Sequence, residues 1–204
     1  AEYSVIGRSN AGRAVFSLSI GTGETKILYA GGFGGKDALA SLVLYRFFEE
    51  LCEAVNNGRP LCGLNIESCL EGRKITVIPC LNPDGIEIFQ YGSSAANAYR
   101  DAVMKISGGI FTDWNANAAG IDLGMNFDCD SDEKRLYERK NGISSPCVSG
   151  FGGKFPESEP ETKALMKLCR SYEFHHAFSF FTSGEEIFFE RNKNTPRESL
   201  MMAK

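Results

Sequence analysis

At 204 residues the chain can bury one sizeable core but is short for two, and its 43% hydrophobic content is that of a globular protein. A formal charge of −4 without any long basic patch argues against a nucleic-acid partner, and no apolar run is long enough to span a bilayer. Residues 1–204 are therefore read as a single domain with no membrane segment.

The chain opens AEYSVIG, with neither Met nor a basic-then-apolar leader, so it reads as processed or shortened, and both a cytoplasmic protein and an exported one with its signal removed fit this start. Residues 13–21, RAVFSLSIG, alternate and end in glycine, which predicts a strand, and Gly-Thr-Gly at 21–23 reads as a hairpin turn. A β-rich run, KILYAGG, follows at 26–32. From Ala38 to Val55 the apolar residues Leu39, Leu42, Val43, Phe47, Leu51 and Val55 recur at three-and-four spacing and predict an amphipathic helix. RKITVIPCL at 73–81 is a further strand, and strand, crossover helix and strand together imply an α/β domain. NPDGI at 82–86 is a turn signal, and residues 93–106 predict a short helix. Ser107–Pro156 is rich in Gly, Asn, Asp and Ser and reads as a long loop that shapes a binding surface or is partly mobile. Residues 158–172 predict a helix opened by a capping box of Ser158 and Glu161, and 174–189 a strand, a Ser-Gly turn and a second short strand.

Seven cysteines are scattered without a C-x-x-C pair, so most read as reduced core thiols; Cys129 and Cys147 flank a loop and are the pair that could approach. The stretch LYAGGFGGKDALASL places a strand, a glycine-rich turn and a helix in a row, an arrangement that usually presents something at the turn. Here Ala30, Gly31, Gly32, Gly34 and Gly35 carry no reactive side chain, and Lys36 is followed by Asp37 where a phosphate-binding loop needs Ser or Thr.

Six motifs in order, SVIGRSNAGRAVFSLSIG, ILYAGGFGGKDALAS, VIPCLNPDGIEI, WNANAAGIDLGMNF, PESEPETKAL and FSFFTSGEEIFF, resemble the zinc carboxypeptidases of the carboxypeptidase A type, particularly their bacterial branch. The resemblance implies an α/β fold of three layers, a mixed and mostly parallel sheet flanked by helices, short at its C-terminal end. It also implies where function would lie. The family's glycine turn carries a His and a Glu to zinc, and those positions are Gly34 and Asp37; its third ligand, a His near a Ser-x-Gly turn, corresponds to Phe181. A catalytic zinc needs three protein donors and an open position for water, so no zinc and no other cofactor is expected. The substrate-gripping positions, an Arg and an Asn-Arg pair in the family, are Ala119, Gly124 and Met125, whereas Asp122, Asn126 and Phe127 still match. The family's general-base Glu lies beyond Lys204, so the last strands and helix are expected to be missing.

No other site replaces the old one convincingly. His175 and His176 are adjacent on a predicted strand and should face opposite ways, and six residues place His175 about 20 Å from position 181. Asp128, Asp130 and Asp132 resemble half a calcium loop but lack its Gly and closing Glu. No G-x-S-x-G accompanies Ser93, Ser94, Ser179 or Ser183. The sequence thus reads as a degenerate carboxypeptidase homologue without peptidase activity, whose residual groove near Asn82, Arg100, Trp114 and Asn126 holds a peptide or peptidoglycan fragment. Two alternatives stay open: an active zinc carboxypeptidase with its ligands realigned or in a missing segment, and a structural or partner-docking domain. Phe181 is expected to be largely buried near Gly34, filling the place of the metal, with Asp37 turned to solvent or to a backbone donor.

Overall fold

The computed structural model describes residues 1–128, 131–184 and 186. Five strands, β1 (Glu2–Arg8), β2 (Ala14–Ile20), β3 (Thr25–Gly31), β4 (Arg73–Ile78) and β5 (His176–Phe180), form one sheet in the order β1-β2-β4-β3-β5. The pairs β1/β2 and β2/β4 are antiparallel, whereas β4/β3 and β3/β5 are parallel, so the sheet is mixed, with its parallel part at β4-β3-β5. The predicted strands at 13–21, 26–32 and 73–81 are all present; β1, whose outer face is largely exposed, had no period to announce it.

Because β4 lies between β2 and β3, residues 21–23 are not a hairpin turn. They pass over the start of β4, Gly23 N–H donating to the Arg73 carbonyl at 3.2 Å, and a Cβ on Gly21 or Gly23 would strike the Gly72–Arg73 backbone. Only glycine permits that approach.

Helices α1 (Ala38–Asn57) and α2 (Ile66–Leu70) cover one face of the sheet, where Leu44, Phe48, Leu51 and Ile66 pack with Val77. The other face buries Val15, Leu28, Ala30 and Ile78 beneath Leu123 and Leu165, the latter on α6 (Pro160–Tyr172). Strand alternation feeds both layers: Leu28 and Ala30 point one way and Tyr29 the other. Each fully buried Leu, Ile or Phe contributes about 1.5–3 kcal/mol, so the two apolar faces fix the register. A third cluster, around Trp114, Ile88 and Val103, joins α3 (Pro83–Tyr91) and α4 (Arg100–Ser107) to the loop after α4.

Several local expectations are corrected. The stripe of α1 that faces the sheet is Ala40, Leu44, Phe48, Leu51 and Ala54, while Leu39, Leu42 and Val43 are exposed. Both stripes are apolar, so periodicity could not choose between them. α1 ends at Gly58, in the left-handed conformation with its N–H on the Ala54 and Val55 carbonyls. NPDGI is not a turn but a helix start: Asn82 Oδ1 accepts from Gly85 N–H at 2.8 Å, and Pro83 takes the first helical position. The segment 107–156 includes a helix, α5 (Ser131–Lys140). At α6 the expected capping box is absent; Glu159 precedes the helix, Ser158 Oγ donates to its carboxylate, and Glu161 turns inward. The predicted second strand after the Ser-Gly turn lies outside the described residues, as do Asp130 of the acidic run and Cys129 of the suggested pair with Cys147.

Candidate functional site

From β3 the chain crosses through α1 to β4 on one side, and later returns through α6 to β5 on the other. A crevice opens at such a reversal outside the carboxyl ends of parallel strands. Here it is a cleft of about 430 Å³ between the glycine turn, the Asn115–Gly124 loop and the segment after β5. Gly34, Asp37 and Phe181, the three positions that the sequence resemblance aligns with zinc ligands, all line it, as does Gly124.

Each has a specific local reason for its state. Asp37 is only 7% exposed; its Oδ2 accepts from Gly34 N–H at 2.9 Å and its Oδ1 from Thr182 N–H at 3.1 Å. The carboxylate therefore ties the glycine turn to the exit of β5, and it meets backbone donors as expected. Ala40 N–H in the first turn of α1 donates to Thr182 Oγ1, completing the tie. The space beside Gly34 is taken by Asn115, whose side-chain amide would collide with any Cβ placed there. Asn115 is held in turn by Asp122 Oδ2 at 3.3 Å. Asp122 also accepts from Gly150 N–H, Ser149 Oγ and Gly124 N–H.

Phe181 departs from expectation. It is 56% exposed, and its ring stacks on Phe33, which is 5% exposed, with centroids 5.2 Å apart. Phe33 in turn meets Phe127 edge-on at 6.0 Å. Asn115 fills the inner space first, so the Phe181 ring lies across the mouth instead of sinking into it.

These positions do not suit a catalytic zinc: one has no side chain and an amide over it, one is a phenyl ring, and the one carboxylate has both oxygens on backbone N–H groups. Among the described residues, no three or more His, Cys, Asp and Glu are placed to hold a metal ion. His175 is pinned to β3, accepting from Lys26 N–H at Nδ1 and donating its own N–H to the Lys26 carbonyl.

The proposed residual groove is not assembled. Asn82, Trp114 and Asn126 are fully buried: Asn82 caps α3 and donates to the Phe33 carbonyl, Trp114 is core, and Asn126 bonds Gly152, Ser158 and Glu159. Arg100 is exposed at the start of α4, away from the cleft. Ala119 N–H donates to Asn117 Oδ1, and Met125 lies half-buried in a short 3-10 turn, Leu123–Met125; neither lines the cleft. Of the four proposed groove residues, only Asn82 stands between a strand end and a helix, and there its side chain serves as the helix cap. Asn115, Ser149 and Thr182 also line the cleft, beside Lys36 and Ser183, and nothing in the sequence points to them, because loop residues distant in sequence carry no period that brings them together. Lys36 sits at the rim, paired with Asp113 at 2.9 Å.

A buried acidic network joins the N-terminal ends of α3 and α6. Asp84 accepts from Ser9 Oγ, Ala11 N–H and Arg13; Glu159 accepts from Asn10 and Asn117; Glu161 accepts from Asn10 N–H and Asn117. Burial pushes the Glu161 carboxyl up to about 7, with Asp84 and Glu159 adding to the rise. Burial likewise pushes the Cys80 thiol up to about 12, so Cys80 is no nucleophile at neutral pH. The six cysteines among the described residues are free.

A parallel sheet centre ending in a glycine turn, with helices on both faces, defines a carboxypeptidase-like α/β fold. A family model for zinc carboxypeptidases matches residues 1–198, and the chain belongs to that family. Bovine thrombin-activatable fibrinolysis inhibitor, in complex with tick carboxypeptidase inhibitor, shares the fold with a TM-score of 0.67 at 17% identity over 99% of this chain and 62% of that one. Murein-tripeptide amidase MpaA from Escherichia coli O157 does so with a TM-score of 0.51 at 22% identity, over 88% of this chain and 60% of that one. In sequence, the chain is 28% identical to the uncharacterized protein YqgT of Bacillus subtilis over 98% of its own length and 53% of that protein's. It is 26% identical to the gamma-D-glutamyl-L-diamino acid endopeptidase 1 of Lysinibacillus sphaericus over 97% of its own length and 49% of that enzyme's. The chain spans about half the length of these curated relatives. No helix among the described residues is long and apolar enough to cross a membrane.

Proposed function

We propose that this domain is a non-catalytic member of its family that binds short peptides, of the kind found in cell-wall fragments, in the cleft above β3 and β5. The observation that carries the reading is the Asp37 tie: the one carboxylate left at the former ligand positions is spent on Gly34 and Thr182 N–H groups. A metal would have to break both bonds and would still lack two donors. Peptide as the ligand class is supported by the cleft's mixed lining of aromatic rings, hydroxyls and an amide, which suits a chain carrying both apolar and hydrogen-bonding groups. It is also supported by kinship to an endopeptidase named for its gamma-D-glutamyl-L-diamino acid substrates.

The test combines zinc analysis, hydrolysis and binding on the same preparation. Expected are no stoichiometric zinc after dialysis against the metal, no cleavage of γ-glutamyl muropeptides or of peptides with a free C-terminus, and saturable binding of at least one such peptide with shifts confined to residues around Gly34, Asn115 and Thr182. Zinc-dependent turnover abolished by a chelator would overturn the reading in favour of an active peptidase.

A further inference from the structure

The ring of Phe181 lines the cleft. Other large apolar side chains are as exposed, among them Tyr3, Leu42 and Ile110, so exposure alone marks nothing; Phe181 differs in that its 56% exposed ring lines the cleft. The ring is also unusually well held. The core ring Phe33 stacks against it and itself meets the partly buried Phe127 edge-on, so Phe181 is backed by the core. The residue after it is fixed at two points, Thr182 N–H on Asp37 and Thr182 Oγ1 under Ala40 N–H. A rigid apolar shelf loses little freedom when it is covered.

The charges around the shelf say what it does not take. Asp37 and Asp122 both face the cleft, but their oxygens are engaged by backbone N–H, Ser149 and Asn115, and the ammonium at the rim, Lys36, is already paired with Asp113. Among the described residues that line the cleft, every charged group, Lys36, Asp37 and Asp122, already has a partner. What is offered is the face of Phe181, with the Thr182 hydroxyl beside it, its proton still free to donate, and the Asn115 amide opposite.

Resting on the peptide-binding reading above, we propose that Phe181 is the specificity-determining residue of the cleft and that its ring receives the aliphatic or aromatic side chain of a neutral peptide segment, whose backbone bonds to the Thr182 hydroxyl and the Asn115 amide. The former metal position has in this way become a side-chain pocket.

The test uses N-acetylated tripeptide amides Ala-X-Ala, with X as Leu, Phe, Ala, Lys or Glu, titrated into the whole chain and followed by NMR. The expected result is that the Leu and Phe peptides bind at least about tenfold more tightly than the Ala, Lys and Glu peptides, with ring-current shifts of the bound X side-chain protons. Phe181→Ala abolishes the preference without unfolding the chain, since the ring is half outside the core, and Phe181→Leu retains most of it. Equal or tighter binding of the Lys or Glu peptide, or a Leu preference that survives Phe181→Ala, overturns the shelf. Binding of γ-glutamyl muropeptides at the same cleft with no X preference overturns the shelf alone and leaves the peptide-binding reading standing. Failure of every peptide and muropeptide to bind overturns both.

Discussion

Glu161 offers the sharpest quantitative test of the buried architecture. Its side chain is fully buried on α6, it accepts from Asn10 N–H and Asn117, and Asp84 and Glu159 lie in the same network with Arg13 as the cation bonded to Asp84. Its carboxyl is pushed from 4.5 to about 7. The folded state therefore holds a proton that the unfolded chain has released wherever the pH lies between those values, so stability contributed by this group falls as pH rises through the window and the loss is complete above about 7. Two and a half pH units correspond to about 3 kcal/mol. Glu161→Gln keeps the acceptor for Asn10 N–H and removes the charge. In urea unfolding at constant ionic strength, the variant should match the parent near pH 5 and exceed its stability by about 2–3 kcal/mol at pH 8. A difference between the two proteins that stays constant from pH 5 to pH 8 would refute the argument, because a packing effect carries no proton linkage.

Asp37→Ala should destabilise by about 3 kcal/mol or more, since two N–H groups lose a charged acceptor, and Asp37→Asn by about half that, because an amide gives one acceptor and sets its own donor against the other N–H; chemical unfolding of both variants checks the order. Gly34→Ala should cost about 1–3 kcal/mol through its collision with Asn115, and Asn115→Ala in the same chain should recover part of that loss, a coupling that a double-mutant cycle reads directly. Adding histidines at 34 and 181 together with Asp37→Glu should give a protein that binds zinc only when Asn115 is also truncated; tight zinc binding with Asn115 intact, measured by competition with a chromogenic chelator, would contradict the packing described for that amide. Asn126→Ala should destabilise by about 2 kcal/mol or more, measured by thermal unfolding, because it strips partners from buried groups of Gly152, Ser158 and Glu159.

The fold was legible where one local pattern had one meaning. The alternation of residues 14–20 and the β-rich run 25–31 became β2 and β3, and the order of motifs gave the family. Where two readings shared one pattern, the sequence was mute. α1 has apolar residues on two stripes, and only the sheet decides that Leu44 and Phe48 go in while Leu42 and Val43 stay out. Asn82-Pro83-Asp84-Gly85 suits a turn and a capped helix equally, and burial of Asp84 beneath Arg13 selects the helix. At the cleft, the substitutions at 34, 37 and 181 could be read off the chain, but the identity of what fills the space could not. Asn115 reaches Gly34 only because Asp122 and Ser149 hold its loop, and those contacts exist in three dimensions alone.

The central place of β3 has a consequence for how the protein is made. Its partner β4 follows after one helical crossover, but its other partner, β5, begins 149 residues further along, where His175 meets Lys26. At ribosomal rates of about 5–20 residues per second, β3 waits on the order of ten seconds before β5 emerges to cover it. During that interval the backbone N–H and C=O groups of residues 27–31 form an open parallel edge beside Tyr29, which later packs against Phe178 and Phe180. Parallel pairing over so long a loop is also intrinsically slow. A nascent chain held in that state is the species most exposed to mispairing with a neighbour, and the step that ends its vulnerability is the docking of β5.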